Sequence, residues 1–351
     1  MRRLLALLAL SLCGAGLTWL VWPDAAQAEF REIVQLTSDA GNHLRPTWSP
    51  DGLRLAYQAD TAGSNDIWII NADGSGQQPL TSGPADDRRP SWSPDGKWLA
   101  FDSDREGSRD IWIVSAKGNS LRRLTTSPDE ETFPVWSPDG RQIAFYRYNG
   151  TSNDIWVTDS QQETPRPLMK NLASIEQREC TFACHAVSWS PEGQAIAYTS
   201  GDLRAIWLVD TKGENQRQLA APALAGAFRF PSFTVDGKVR FQSEEHGEKI
   251  WTDLWSIAPD GTSQTRLLSR VDHGGPFAWN PEGTLVAFHS PRSGHFQIYL
   301  ASLQGSVPEL PPPPAVIGSA RQALIVGATT LIAVLVAVAL GLYSFLTRRR
   351  A

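Results

Sequence analysis

A five-residue segment, Trp48-Ser49-Pro50-Asp51-Gly52, returns along the chain at intervals of about 44 residues. Its other copies begin at Trp92, Trp136, Trp189, Phe233 and Trp279, the last two in weaker form. A fixed period of this length is typical of proteins built from one repeated structural unit. The chain should therefore contain six copies of one unit rather than two or more unrelated domains.

Each repeat contains four short runs of strand-forming residues. In the first repeat they are Pro46-Thr47-Trp48, Leu55-Ala56-Tyr57, Asp66-Ile67-Trp68 and a weaker run that ends in Leu80-Thr81. Ser-Pro-Asp-Gly suits a tight turn, because Pro presets φ and Gly takes the left-handed position. Aromatic and β-branched runs separated by turns predict four strands per repeat. The fold class is therefore all-β, a six-bladed β-propeller of four-stranded blades.

The count of strands predicts how the ring closes. No Leu-Thr strand follows Ile298-Tyr299, yet one precedes the first repeat at Leu36-Thr37. Leu36 precedes Trp48 by the same interval as Leu80 precedes Trp92. We therefore expect the N-terminal strand to become the outer strand of the last blade, which removes an open edge.

The repeat resembles the TolB-like repeat, also called the WD-repeat-like or PD-type propeller repeat, over roughly residues 33–303. The fifth copy departs most from this pattern, with Phe233 in place of Trp, Val235 in place of Pro and Arg240 in place of a small residue. The resemblance implies a protein or peptide partner, bound across one face of the propeller or in its channel.

Composition narrows the functional classes. Most of the 14 Trp stand at repeat positions, which favours packing between blades over a ligand cage. The net charge of −5 argues against a nucleic-acid partner, since such proteins carry basic patches.

The two ends of the chain predict export and a membrane anchor. Residues 1–28 have the basic start, apolar run and small-residue cleavage site of a signal peptide. An uncleaved anchor and a lipidated Cys13 are alternatives.

The propeller is expected at 29–305, a Pro-rich spacer at 306–322, a transmembrane helix at 323–346 and a basic tail at 347–351. The tail arginines place the C-terminus in the cytoplasm and the propeller on the periplasmic or extracellular side of the cell membrane. A sorting signal cut by a transpeptidase is the alternative for this C-terminal region.

Candidate binding residues lie in the loops that enter each inner strand, at what we call the top face. Loops on a rigid scaffold commonly carry binding sites. The predicted set is His43, Arg45, Asp86, Asp87, Arg88, Arg89, Glu130, Glu131, His185, Arg229, Asp272 and His273.

An insertion before Trp189 holds Cys180, Cys184 and His185. If the signal peptide is cleaved, Cys13 is lost with it, and the two cysteines that stay in the exported chain predict a Cys180–Cys184 disulfide. A haem attachment and a metal site with His185 are alternatives, as is calcium at clustered loop carboxylates. We expect no cofactor and no metal.

These observations favour a non-enzymatic, membrane-tethered binding or scaffold module that recognises a protein or peptide at the top-face loops and the channel mouth. One alternative is a structural subunit of an envelope membrane complex. Another is a hydrolase-type enzyme using His43, His185 or His273, although the sequence contains no Gly-x-Ser-x-Gly motif and no catalytic residue is assigned. The sequence does not specify the oligomeric state.

Overall fold

A computed structural model describes residues 30, 32–61, 63–162, 164–172, 186–200, 202–220, 227–246, 250–271 and 275–302. These residues form 24 strands in six four-stranded sheets, which confirms the predicted all-β, six-bladed propeller. Within those ranges no helix is long and apolar enough to cross a membrane. The predicted signal peptide, spacer, transmembrane helix and tail lie outside them.

The strands follow one another from the inside of each blade to the outside. Blade 1 contains β2 (His43–Trp48), β3 (Arg54–Ala59), β4 (Asp66–Asn71) and β5 (Gln78–Pro79). Blade 2 contains β6 (Asp87–Trp92), β7 (Trp98–Glu106), β8 (Ser108–Ser115) and β9 (Leu121–Arg123). Blade 3 contains β10 (Glu130–Trp136), β11 (Gln142–Tyr148), β12 (Asn153–Asp159) and β13 (Arg166–Leu172).

The second half of the ring repeats the arrangement. Blade 4 contains β14 (Val187–Trp189), β15 (Ala195–Thr199), β16 (Ile206–Asp210) and β17 (Arg217–Ala220). Blade 5 contains β18 (Ala227–Phe233), β19 (Val239–His246), β20 (Ile250–Ile257) and β21 (Thr265–Val271). Blade 6 contains β22 (Ala278–Trp279), β23 (Leu285–Ser290), β24 (Gln297–Ser302) and the N-terminal β1 (Glu32–Gln35).

The Ser-Pro-Asp-Gly turn joins the first two strands of a blade on the face opposite the top, which we call the bottom face. In blade 1 the Ser49 hydroxyl accepts the N–H of Arg54 at 2.9 Å and donates to Asp51. Gly52 closes the turn with φ of 69°, a value that favours glycine. The repeated motif is therefore a self-contained turn, which explains why it recurs with so little change.

The core lies between neighbouring blades. The apolar cluster between blades 6 and 1 joins Trp48 and Leu55 to Ile298 and Leu300. The aromatic side chain in the second strand is buried in all six blades, at Tyr57, Phe101, Phe145, Tyr198, Phe241 and Phe288. Full burial of one such side chain stabilises the fold by about 1.5–3 kcal/mol. The ring is thus held together chiefly by contacts between blades.

Two of the repeat tryptophans, Trp48 and Trp189, also bridge blades through their indole N–H groups. Trp48 Nε1 donates to the carbonyl of Ala278 in blade 6 at 3.0 Å. Trp189 Nε1 donates to the carbonyl of Val135 in blade 3 at 3.1 Å. Both bonds run to the preceding blade, as expected for residues that pack blade on blade.

The N-terminal strand closes the ring. β1 pairs antiparallel with β24 and places Glu32 opposite Ser302 and Gln35 opposite Tyr299. Gln297 Nε2 extends the contact by donating to the carbonyl of Gly41 at 2.9 Å. The predicted closure is confirmed.

Blade 5 keeps the fold although its turn departs from the motif. Val235, which replaces the turn proline, is 81% exposed. Arg240 stacks on Trp279 of blade 6, with its guanidinium carbon 3.9 Å from the ring centroid. A bottom-face cavity of about 560 Å³ lies beside these residues. A cation–π contact thus joins blade 5 to blade 6 beside the altered turn.

Candidate functional site at the channel mouth

A cavity of about 220 Å³ on the propeller axis is lined by residues from all six blades, and every blade contributes one residue at the same repeat position. Each stands three positions before the repeat Trp or its Phe substitute. We call this set the axial ring: Arg45, Arg89, Phe133, Ala186, Phe230 and Pro276. Two of its six members are cationic and none is acidic.

A β-bulge directs four of the six ring residues inward. In blades 1, 2, 3 and 5 the pairing of the first two strands slips at the ring residue and the proline after it. Arg45, Arg89, Phe133 and Phe230 all have φ between 53° and 57°. Left-handed φ is uncommon for bulky residues, and bulges re-aim side chains next to functional sites. The same local distortion thus recurs wherever an x-Pro pair precedes the inner-strand aromatic.

The two ring arginines lie against one aromatic ring. The guanidinium carbon of Arg45 is 4.9 Å from the Phe133 centroid, and that of Arg89 is 4.3 Å from it. Both distances are within the range of a cation–π contact. Phe133 therefore brings two positive groups from adjacent blades together on the axis.

Asp102 anchors one of these arginines. Its Oδ2 accepts from Arg89 Nη1 at 2.8 Å and from Arg109 Nη1 at 3.1 Å, while its Oδ1 accepts the N–H of Phe133 at 3.2 Å. The carboxylate is fully buried. One acidic side chain in blade 2 therefore fixes Arg89 and the backbone of the aromatic that follows in blade 3.

The environment of Arg45 disfavours its positive charge. Burial, followed by the nearby charge of Arg89, lowers the pKa of Arg45 to about 9. His289 packs on the other side, and its Nδ1 accepts the N–H of Arg45 at 3.4 Å. Burial, with Arg45 adding to it, lowers the pKa of His289 to about 3, so this imidazole is neutral at pH 7. Arg45 stays protonated at neutral pH.

A second cavity of about 360 Å³ opens above the ring on the top face. Its lining includes both ring arginines together with polar side chains from blades 1, 2 and 6: Asn42, Gln58, Asp60, Asn65, Arg88 and His289. Leu44 and Phe296 complete the wall. Because Arg45 and Arg89 border both cavities, they stand where the mouth meets the channel.

Four of the predicted binding residues are largely buried, and each of them bonds a charged side chain inside the propeller. His43 is fully buried, stacks on Tyr57 and bonds Asp39 through Nε2 at 2.5 Å. Its pKa is lowered by burial, although Asp39 opposes that effect. The remaining ion pairs are Asp87 with Arg105 at 2.7 Å, Glu131 with Arg147 at 2.8 Å and Arg229 with Glu244 at 2.7 Å. These contacts give the four residues a role in packing, and a binding role for them stays a prediction.

Three other predicted residues reach solvent at the rim. Arg88 donates to Asp86 at 2.6 Å, and its side chain is 33% exposed. Asp86 also accepts from the backbone and the side chain of Asn65. Glu130 is half exposed, 3.9 Å from Arg109 Nε. The structure thus brings Asp86, Arg88 and Glu130 near the mouth, with Arg45 and Arg89 below them.

The remaining predictions fall on parts of the chain for which the structure gives no description. These are His185, Asp272 and His273 in the loops, and the Cys180–Cys184 disulfide. Among the residues that are described, no group of three or more His, Cys, Asp and Glu is placed to hold a metal ion.

Sequence reasoning missed Phe133, Phe230 and Asp102 as members of the site. A signal for the first two was present, because the residue three positions before each repeat aromatic varies while its neighbours repeat. Asp102 is one of the clustered carboxylates that the sequence places in a loop and makes an alternative for calcium, whereas in the structure it lies inside β7 (Trp98–Glu106).

Fold and axial ring together define a six-bladed propeller with a cationic site on its axis. A family model described as the TolB beta propeller domain (PD40) matches residues 27–236. The chain belongs to this TolB beta-propeller domain family, which confirms the resemblance. The sequence has no match among the curated proteins with which it was compared.

Several solved structures share the fold. A putative TolB from Agrobacterium tumefaciens is 19% identical, with a TM-score of 0.57 over 78% of this chain and 97% of that one. TolB from Acinetobacter baumannii is 19% identical, with a TM-score of 0.53 over 77% and 65%. An oligogalacturonate lyase from Vibrio parahaemolyticus is 13% identical, with a TM-score of 0.58 over 78% and 94%. Identities this low show a common fold and nothing about a common activity.

Proposed function

We propose that this chain is a non-enzymatic recognition module that binds a protein or peptide partner through its top-face loops and channel mouth. The observation that carries the proposal is the pair of cavities at the mouth that share Arg45 and Arg89 in their walls. A rigid scaffold, a concave mouth and a few polar groups directed into it are the usual features of a binding site.

The partial burial of Arg45 and Arg89 supports the binding of a partner at the channel mouth. Arg45 and Arg89 lie against Phe133 and are shielded from bulk water, so an incoming group would meet them in a medium of low dielectric. Electrostatic contacts are stronger there than on an open surface. The burial of His43, in turn, weighs against its use as a catalytic base in the described part of the mouth.

The proposal includes a membrane tether, with the propeller on the periplasmic or extracellular side and the C-terminus in the cytoplasm. It rests on the apolar run at 323–346 and the arginines after it. Thiol labelling of a Lys97→Cys variant with a membrane-impermeant reagent tests this arrangement. Labelling in intact cells supports it, and labelling only after lysis contradicts it.

Site-specific photocrosslinking in living cells tests the partner and the face together. One variant carries a photoreactive amino acid in place of Arg88 at the mouth, and its matched control carries the same group in place of Lys97 in a bottom-face turn. Both side chains reach solvent, at 33% and 76% exposure. A crosslinked protein recovered from position 88 and not from position 97 is the expected result.

The other outcomes are also informative. Capture from position 97 alone would place the contact on the bottom face and favour a structural subunit of a membrane complex. Capture from neither position would reject a macromolecular partner at the mouth. Replacement of residues 323–346 by an unrelated apolar span should leave the position-88 product intact if that segment serves only as an anchor.

A further inference from the structure

The axial ring gives the mouth a specific chemical preference. Six equivalent positions converge on the axis, and the charges they contribute come from Arg45 and Arg89 alone. The other four are Phe133, Phe230, Ala186 and Pro276. A group that enters the channel therefore meets two guanidinium groups set among apolar walls.

The arginines are held in place before any ligand arrives. Arg89 is fixed by Asp102, and both arginines lie on Phe133. The backbone of each is constrained by a bulge and by the proline that follows it. Such pre-organisation reduces the entropy lost on binding. The lowered pKa of Arg45 agrees with this picture, because a nearby anion would relieve the repulsion from Arg89.

We propose that Arg45 and Arg89 form a carboxylate-binding site on the propeller axis, which takes an acidic side chain or the C-terminal carboxylate of a peptide. The inference rests on the proposed function and specifies the chemistry of its partner. The planar guanidinium fork matches a carboxylate in geometry and forms charge-assisted hydrogen bonds.

The size of the cavity favours a peptide group over a bulky ligand. Its volume of about 220 Å³ is below the range of roughly 300–1,000 Å³ that is typical of small-molecule sites. One or two residues of an extended chain fit a space of this kind, with the carboxylate on the arginines. The rings of Phe133 and Phe230 and the ring of Pro276 would then contact the apolar part of the peptide.

Calorimetric titration with defined peptides tests the proposal on the full chain in detergent. The probes are decaglutamate and decaglutamine, both acetylated and amidated. Decaglutamate should bind at least about tenfold more tightly, because hydrogen bonds between charged groups are the strong ones. Arg45→Gln and Arg89→Gln should each weaken that binding by about tenfold. Lys97→Gln removes the same charge on the bottom face and should leave binding unchanged.

Arg45→Lys provides a second variant in case Arg45→Gln does not fold. It keeps the charge and removes the fork, so decaglutamate should bind more weakly than to the wild type and more tightly than to Arg45→Gln. A pentapeptide of Ala and Gly, with either a free or an amidated C-terminus, separates the two sources of carboxylate. Binding that depends on Arg45 and on the free terminus identifies chain ends as the ligand, and binding of decaglutamate alone identifies side chains.

Two results would overturn the proposal. Wild-type affinity for decaglutamate in both Arg45→Gln and Arg89→Gln would show that acidic peptides bind elsewhere. Arg45-dependent binding of an oligogalacturonate, with no binding of either peptide type, would assign the site to an acidic saccharide instead. In either case a crosslink from position 88 would still stand, so the failure of this inference can be told apart from failure of the proposed function.

Discussion

Thr37 Oγ1 accepts the backbone N–H of Ile298 at 2.9 Å, although 261 positions separate the two residues in the chain. The same bond occurs within single blades, where Thr81 accepts from Ile67 and Thr125 from Ile111. The Thr hydroxyl of the Leu-Thr motif thus accepts a backbone N–H from the third strand of its own blade. In blade 6 that bond joins the two ends of the propeller.

Removal of β1 should therefore make the unfolding of the propeller less cooperative. A chain that starts at residue 40 lacks β1 and Thr37 and leaves β24 as an open edge. We expect a broad thermal transition in place of a single sharp one, measured by calorimetry. A single sharp transition at the original temperature would show that closure contributes little.

Thr37→Val tests the single bond without truncation. It leaves the buried N–H of Ile298 without this partner, which costs about 1–3 kcal/mol. Thr125→Val is the matched control, since it removes an equivalent bond inside blade 2. Chemical denaturation of both variants should give similar losses. A loss confined to Thr125→Val would mean that the closing blade is already frayed.

Asp102→Asn should destabilise the propeller strongly. The substitution leaves Arg89 and Arg109 without the charge of a fully buried carboxylate. Breaking a buried pair in this way costs about 3–5 kcal/mol. Asp95→Asn, which alters an exposed bottom-turn pair with Lys97, should cost less than about 1 kcal/mol. Equal losses in the two variants, measured by urea denaturation, would contradict the role of Asp102.

Gly275→Ala should also be strongly destabilising. A Cβ at this position would lie 2.0 Å from Cε1 of His289, well inside contact distance. Because His289 is buried, the ring has little room to yield, and we expect a loss of at least about 1–3 kcal/mol. Gly275→Ala combined with His289→Ser should recover part of it, as a double-mutant cycle would show. No recovery would point to backbone strain instead.

His289 should make the fold less stable in acid. Burial holds its pKa at about 3, below the ordinary value of 6.5, so the unfolded chain takes up a proton that the folded chain does not. The contribution of His289 is therefore present above pH 6.5 and is lost as the pH falls toward 3, at up to about 1.4 kcal/mol per pH unit. The melting temperature of His289→Gln should fall less steeply between pH 7 and 4.5 than that of the wild type. Parallel curves would contradict this.

The repeat made the fold predictable, since strand order and closure follow from spacing alone. The equal interval from Leu36 to Trp48 and from Leu80 to Trp92 was sufficient to assign β1 to the last blade. Side-chain partners were not predictable in this way. Asp87 and Glu131 read as loop charges, yet each is buried against an arginine 16 to 18 positions later. Such ion pairs depend on where each strand begins and on how it is aligned with the neighbouring strand. The spacing of the repeat specifies neither.

The axial ring was predicted only in part for a related reason. Their charge marks Arg45 and Arg89 as candidate binding residues in the sequence, whereas Phe133 and Phe230 occupy the same repeat position and carry no charge. What aims all four at the axis is a backbone bulge with left-handed φ. The corresponding sequence feature is a variable residue before Pro. Its significance becomes clear only when the structure shows that the bulge directs this side chain to the axis.

The pairing of Glu32 with Ser302 has a mechanical consequence. Glu32 is the first residue of β1 and Ser302 is the last residue of β24, so these two ends lie side by side at the bottom face. Tension applied between these ends would load their hydrogen bonds one after another, as in opening a zipper. Blade 6 would therefore yield first and at low force, while the other five blades, including both ring arginines, would carry no direct load.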